Sequence, residues 1–211
     1  MVDDRDRTEF LPPDPVAFVD RQFRALADAE VDVRPGINVR SASLGPVAEV
    51  ASVCADHGAV AEINAHCRQE EMCGVGAGES LLRDGDRLCE QVRRAADAGA
   101  TVSVKVRTEV AGVDLPALSA RLSAAGADLL HVDAMDSERV VGAVAEAAPG
   151  AFVVANNGVR DRETVRECLR YGADAVSVGR PSDEPAVLAR VREAADEWFD
   201  ARRPGEVSPD A

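Results

Sequence analysis

The chain has 211 residues, 46% of them hydrophobic, so it is long enough to bury the core of one domain and is not a disordered polymer. Its formal net charge of −14 disfavours a nucleic-acid partner, because an acidic surface repels phosphate backbones, and it also suits a halophilic protein, whose surface charges high salt screens. No apolar run reaches the roughly 20 residues of a membrane helix and no signal peptide opens the chain, so we expect a cytoplasmic protein without a membrane partner.

Short β-branched runs alternate with Ala-, Arg- and Leu-rich stretches of helical period, which is the order typical of a parallel α/β fold. The predicted strands are Arg7–Leu11, Val33–Arg40, Ala59–Asn64, Thr101–Arg107, Leu129–Ala134, Phe152–Asn157 and Ala175–Arg180. The predicted helices are Val16–Ala29 and the ranges near 45–57, 79–98, 114–125, 137–148, 161–171 and 184–202. Helix-ending glycines precede four of the strands, at Gly58, Gly99, Gly126 and Gly172.

Both a barrel and an open doubly wound sheet fit this alternation. A barrel is favoured because no Gly-rich dinucleotide fingerprint follows an early strand and because polar residues end many different strands. These polar residues are Asn64, Lys105, His131, Asn157 and Arg180. We therefore predict an α/β fold of the TIM (β/α)8-barrel type that lacks its first βα unit. One domain would span residues 1–203, followed by a flexible tail at 204–211. The two exposed strand edges suggest either pairing with another chain, as in a homo-oligomer, or a missing N-terminal segment.

Two residues on neighbouring strands carry chemistry that a buried strand rarely holds. Lys105 is the only lysine in the chain. It either faces a bound anion or electron-rich ring, pairs with Glu62, or reaches solvent. His131 is either a core histidine or a second site residue at the level of Lys105, and Asp133 shares its face.

The last two predicted strands end in residues suited to phosphate. Asn157-Gly158 and Gly179-Arg180 combine exposed backbone N–H groups with a guanidinium, and TIM barrels commonly hold phosphate after strands seven and eight. The alternative is an Asn-Gly turn beside a surface arginine.

A cysteine follows the strand that ends at Asn64. Cys67, flanked by His66 and Arg68 and followed by the Gly-rich turn Gly74–Gly78, could be a proton donor or nucleophile. His66, Cys67 and Cys73 could instead begin a metal site, but no second cluster of ligand spacing exists in the sequence, so no metal is expected. The five cysteines, an odd number without a secretory signal, indicate free thiols.

Taken in order, these motifs resemble those of the dihydrouridine synthases, flavin-binding barrel enzymes, and of an archaeal group of related barrel proteins. The matching segments are Glu62–Arg68 (EINAHCR), Gly76–Leu82 (GAGESLL), Val104–Arg107 (VKVR), Leu130–Val132 (LHV), Asn157-Gly158 and Gly179-Arg180. The match runs from about residue 33 to 182. Six short segments in the right order, most of them at strand ends, make the match fairly specific.

The resemblance implies an FMN-dependent oxidoreductase similar to tRNA-dihydrouridine synthase and dihydropyrimidine dehydrogenase, transferring hydride at the C5–C6 bond of uracil. Its pyrimidine substrate would be free or in tRNA. Cys67 would be the catalytic proton donor, with Asn64 and Arg107 beside the substrate. FMN would contact Lys105, His131, Asn157, Gly158, Gly179, Arg180 and Asn38.

Three departures from the family pattern favour other functions. The family's Gly-Cys-Pro is His66-Cys67-Arg68 here, and neither the first family strand nor the C-terminal helical domain that grips tRNA has a counterpart. One alternative is a non-catalytic barrel that binds a phosphorylated ligand or flavin. Another is a lyase or isomerase in which Lys105 forms a Schiff base.

Overall fold

A computed structural model describes residues 12–29 and 31–202 of the chain. In these ranges six parallel strands form one sheet, and their order in the sheet is their order in the sequence. An open doubly wound sheet reverses its order at a switch point, whereas an unbroken order is that of a barrel. The predicted barrel type is confirmed, although the first and last of the six strands do not pair with each other and the barrel is open there.

Helices connect the strands, as right-handed parallel crossovers require. The strands are β1 (Gly36–Val39), β2 (Val60–Asn64), β3 (Thr101–Arg107), β4 (Leu129–Asp133), β5 (Phe152–Asn156) and β6 (Ala175–Ser177). The helices are α1 (Pro15–Asp28), α2 (Leu44–Asp56), α3 (Glu70–Gly74), α4 (Ser80–Arg83), α5 (Gly85–Asp97), α6 (Leu115–Ala124), α7 (Arg139–Ala147), α8 (Arg162–Arg170) and α9 (Pro185–Asp200). A 3-10 turn, Arg180–Asp183, follows β6.

The strands bury one face and leave the other polar. The face turned toward the helices is built of small and branched apolar residues, because alternate strand residues point to the same side. Its most buried members are Ala61, Ile63, Val102, Val104, Val106, Leu130, Val132, Val153 and Ala155. The opposite, concave face of the sheet is called the inner face below. A closed barrel fills its interior with apolar layers, so a polar inner face marks a site.

Three sequence predictions need correction. The predicted helix 79–98 is two helices, because Asp84 leaves helical geometry and its carboxylate accepts the backbone N–H of Arg87, which begins α5. Strands β1 and β6 are shorter than predicted, and the chain turns into the 3-10 segment soon after Ser177. The predicted helix-ending glycines are confirmed as left-handed at Gly58, Gly99, Gly126 and Gly172. The predicted strand Arg7–Leu11 and the predicted tail 204–211 lie outside the described residues.

Candidate active site

Polar side chains occupy three successive levels of the inner face, because the parallel register brings residues of neighbouring strands side by side. The first level holds Asn38, Glu62 and Ser103; the second Asn64, Lys105 and His131; the third Arg107, Asp133, Asn156 and Ser177. The third level lies nearest the carboxyl ends of the strands, where barrel enzymes build their sites.

Glu62 lies at the centre of this polar face. Its Oε1 accepts the amide N–H of Asn38 at 2.8 Å, and its Oε2 accepts the Ser103 hydroxyl at 3.0 Å. The same Oε2 lies 2.8 Å from Nδ1 of His131. These three donors come from β1, β3 and β4, so one carboxylate connects four strands.

The environment of Glu62 keeps it ionised. Burial acts to raise its pKa, but the hydrogen bond and charge of His131, the Asn38 amide and the charge of Lys105 outweigh burial, and the pKa falls to about 2. An ionised carboxylate only accepts hydrogen bonds, so the proton between the two side chains belongs to Nδ1 of His131. The other ring nitrogen of His131, Nε2, is buried and has no hydrogen-bond partner among the described residues.

Lys105 lies between Asn64 and His131 on the second level, as the sequence indicated. It does not form the direct ion pair with Glu62 that was one alternative, because the Glu62 oxygens are taken by Asn38, Ser103 and His131. Within the described ranges its ammonium makes no hydrogen bond or ion pair. A partly buried lysine without a direct anion is suited to a bound anionic or electron-rich group.

The segment after β2 holds Cys67 in a defined position. Oδ1 of Asn64 accepts the backbone N–H groups of His66 and Cys67, at 3.2 and 2.9 Å. The thiol of Cys67 donates to Oε1 of Gln69 at 3.4 Å. Asn64 is 1% exposed and Cys67 8%, so both side chains are buried.

The Gly-rich turn closes over this segment. The backbone N–H of Glu79 donates to the carbonyl of Cys67 at 2.8 Å, and the thiol of Cys73 lies 3.5 Å from the same carbonyl. Gly78 has a φ of +62°, and a Cβ there would lie 2.4 Å from that carbonyl oxygen. Only glycine allows so close an approach, so the turn fixes the backbone that carries Cys67.

His66 occupies the position of the glycine in the family's Gly-Cys-Pro, and its ring lies beside Asp133 on the third level of the inner face. Its Nε2 lies 3.5 Å from a carboxylate oxygen of Asp133. Burial and the positive charge of Lys105 lower the pKa of His66 to about 4, against the opposing charge of Asp133. The ring is therefore neutral at pH 7, and its Nδ1 is buried without a hydrogen-bond partner in the described part of the chain.

Arg107 is only 6% exposed. Its guanidinium lies 3.5 Å from the carboxylate of Glu79, and its Nε donates to the carbonyl of Thr108. Arg107 thus ties the end of β3 to the Gly-rich turn, and its predicted contact with substrate remains a prediction.

The predicted phosphate residues lie on neighbouring loops. The Asn156 amide donates to the backbone carbonyl and hydroxyl of Ser177, at 3.2 and 3.1 Å, which joins the ends of β5 and β6. Just beyond, Asn157 and Gly158 adopt left-handed backbone geometry, with φ of 89° and 69°. All four predicted residues, Asn157, Gly158, Gly179 and Arg180, are exposed.

Sequence reasoning missed three members of this site. Glu62 was considered only as a partner of Lys105, while Ser103 and Gln69 were not considered. Strand periodicity offered a signal for Glu62, since it lies two residues before Asn64 and therefore on the same face. Across the described ranges, no three His, Cys, Asp or Glu side chains are grouped to hold a metal ion.

The fold and the site define a (β/α)-barrel protein with a polar site at the carboxyl ends of its strands. The family model for dihydrouridine synthase matches residues 37–208 of the chain. The chain therefore belongs to the dihydrouridine synthase family. No helix in the described residues is long and apolar enough to cross a membrane.

Two curated proteins show the relationship in sequence. An uncharacterized protein of Methanocaldococcus jannaschii is 28% identical over 155 residues, which cover 68% of this chain and 58% of that protein. The tRNA-dihydrouridine synthase B of Xanthomonas campestris is 29% identical over 159 residues, which cover 68% of this chain and 48% of that enzyme. The chain thus spans about half the length of these relatives.

Solved structures support the fold. The dihydroorotate dehydrogenase (DHODH) of Eimeria tenella, a complex with ferulenol, matches 89% of this chain and 64% of its own with a TM-score of 0.66 and 12% identity. The 3-hexulose-6-phosphate synthase of Salmonella typhimurium matches 86% of this chain and 80% of its own, with a TM-score of 0.56 and 16% identity. At such identities the likeness establishes the barrel fold alone.

Proposed function

We propose that this protein is a flavin-dependent oxidoreductase that binds FMN on the inner face and transfers hydride at the C5–C6 bond of a uracil ring, free or in tRNA. Family membership and the relative named tRNA-dihydrouridine synthase B support the reaction class. The observation that carries the proposal is the second level of the inner face. There Nε2 of His131 is buried without a partner beside Lys105, whose ammonium meets no anion directly among the described residues.

The described residues fit this cofactor. Lys105, His131 and Asn38 would lie toward the flavin ring, and the exposed Asn157, Gly158, Gly179 and Arg180 would hold its phosphate. A guanidinium and glycine N–H groups suit a phosphate group, because the guanidinium binds it bidentately and glycine lets the backbone approach closely. A Cβ at Gly179 would meet nothing within 4 Å, so space is open beside its backbone.

When bound, FMN would supply the hydride chemistry, and the protein supplies orientation and a proton. Cys67 is the proton donor at C5 of the uracil ring. Its thiol lies 3.4 Å from Oε1 of Gln69, an acceptor that would hold the thiol of a proton donor in place. Asn64 orients the Cys67 backbone, and Asn64 and Arg107 would lie beside the substrate.

The visible absorption spectrum of the protein purified without added cofactor tests flavin binding. Flavin bands are expected, and Lys105→Ala and Arg180→Ala should weaken or abolish them. Arg190→Ala is the matched control, because Arg190 is an exposed arginine on α9, and it should keep the bands. A colourless protein that also fails to take up added FMN would contradict the proposal.

Turnover of a bound flavin tests the catalytic role of Cys67. Reduced flavin should be reoxidised by a uridine-containing substrate, and Cys67→Ala should abolish that reoxidation while leaving the flavin spectrum in place. A Cys67→Ala protein that reoxidises at the wild-type rate would remove Cys67 as the acid. Flavin binding without reoxidation by any uridine substrate would leave a cofactor-binding barrel of another activity.

A further inference from the structure

A continuous chain of hydrogen bonds connects the predicted flavin-side histidine with the predicted acid. His131 meets Glu62 at 2.8 Å, Glu62 meets Asn38 at 2.8 Å, and Asn38 meets Asn64 at 2.7 Å. Asn64 then accepts the backbone N–H of Cys67 at 2.9 Å. Every side chain between His131 and the Cys67 backbone is thus joined to the next through a donor and an acceptor.

The two ends of this chain set the direction of every bond in it: the Glu62 carboxylate can only accept, and the backbone N–H groups of His66 and Cys67 can only donate. Because the Glu62 carboxylate only accepts, the Asn38 amide must turn its NH2 toward Glu62 and its oxygen toward Asn64. Asn64 must then turn its NH2 toward Asn38, which leaves its oxygen for the N–H of Cys67. On the other side, His131 must carry its proton on Nδ1, which leaves Nε2 for a ligand.

We propose that Glu62 is a positioning residue of this site: it fixes the tautomer of His131 and, together with the backbone N–H groups of His66 and Cys67, the amide orientations that hold Cys67. This inference rests on the proposed function for the roles of His131 and Cys67. Glu62 itself would touch neither the substrate nor the reacting atoms. It acts through its neighbours, as ligand-orienting carboxylates do behind metal-bound histidines.

Glu62→Gln removes the charge and keeps the size of the side chain. A Gln amide offers one oxygen and one NH2, so it cannot accept from Asn38 and from His131 on both sides at once. Reversal of the two asparagine amides would set NH2 against the backbone N–H of Cys67, so the Gln oxygen must face Asn38 and its NH2 must face His131. Nδ1 of His131 then has to accept, and His131 moves its proton to Nε2. Ser103→Ala is the matched control, because it removes one donor to Glu62 and leaves the chain from His131 to Cys67 intact.

15N NMR of the cofactor-free protein measures the tautomer of His131, and loss of the signal in His131→Gln assigns it. The wild type should show the proton on Nδ1, and so should Ser103→Ala. Glu62→Gln should show it on Nε2 or exchanging between the two nitrogens. A wild-type ring protonated on Nε2, or a Glu62→Gln ring unchanged from wild type, would overturn the proposal. If Glu62→Gln does not fold, the His131 tautomer is measured in the wild type and in Glu62→Asp. Because Glu62→Asp keeps the charge, its His131 should also carry the proton on Nδ1, and a proton on Nε2 in either protein would overturn the proposal.

Kinetics of the flavin-loaded enzyme separate positioning from substrate binding. Glu62→Gln should lower kcat by about 10- to 100-fold, since misplacement of a reacting group costs that much, with KM changed far less. Glu62→Asp should recover part of kcat, and full kcat in Glu62→Gln would overturn the role. The NMR result needs no flavin. A protein in which the His131 tautomer depends on Glu62 but which never binds flavin would therefore contradict the proposed function and still support the positioning role of Glu62.

Discussion

The turn over Cys67 offers a test of the site's architecture through two neighbouring glycines. Gly76 and Gly78 both have left-handed backbones, with φ of 84° and 62°, so alanine at either position carries the strain of that conformation, roughly 1–2 kcal/mol. The positions differ in space. A Cβ at Gly76 meets nothing within 4 Å, whereas a Cβ at Gly78 would lie 2.4 Å from the carbonyl oxygen of Cys67.

The contact at Gly78 adds a second cost. The Cys67 carbonyl must move away, which weakens its hydrogen bond from the Glu79 N–H, worth about 1 kcal/mol, and adds backbone strain. We therefore expect Gly76→Ala to lower the free energy of unfolding by about 1–2 kcal/mol. Gly78→Ala should lower it by about 2–4 kcal/mol. The entropy that alanine removes from the unfolded chain is common to both and cancels in the difference.

Urea unfolding followed by circular dichroism gives both values, provided that the slope with denaturant is the same in the two variants. Gly78→Ala should also reduce turnover more than Gly76→Ala, because it displaces the backbone of Cys67. Equal free energies of unfolding for the two variants, within about 0.5 kcal/mol, would refute the close approach of this turn to Cys67.

Three further predictions follow from the pKa values of buried groups. The pKa of Glu62 is about 2 in the folded protein and 4.5 in the unfolded chain, so its ionisation contributes about 3 kcal/mol to the free energy of unfolding. This contribution is complete above pH 4.5 and is lost as the pH falls toward 2. The free energy of unfolding of Glu62→Gln should therefore fall less than that of the wild type between pH 4.5 and 2. An equal fall in the two proteins, measured by unfolding at each pH, would contradict this. The pKa of His66 is about 4 in the folded protein against 6.5 in the unfolded chain, so this ring lowers the free energy of unfolding progressively as the pH falls from 6.5 to 4. An NMR titration midpoint of His66 near 6.5 would contradict the site geometry. Burial raises the pKa of Cys54 and of Cys168 to about 11, so iodoacetamide at pH 8 should label the less buried Cys73 first, and early labelling of either buried thiol, seen by peptide mass, would contradict the packing.

The fold was predictable because its signals are local. Strand and helix periods, and the glycines that end helices before strands, are properties of short stretches of chain. Polar residues at the ends of several strands were enough to favour a barrel over a doubly wound sheet. The same local signals missed the break at Asp84, where a polar residue inside a helical pattern begins a new helix.

The sequence by itself determined which residues reach the carboxyl ends of the strands, because strand period separates Asn64, Lys105 and His131 from the apolar residues that flank each of them in its own strand. Only the tertiary structure decided which of them touch. The partners of Glu62 lie 24, 41 and 69 residues away in the chain, and they meet it through the lateral register of four strands. That register is specified by the burial of one face of the sheet, because a one-residue slip would turn the buried apolar residues to the other face. Glu62 therefore becomes the centre of the site only when the sheet has formed.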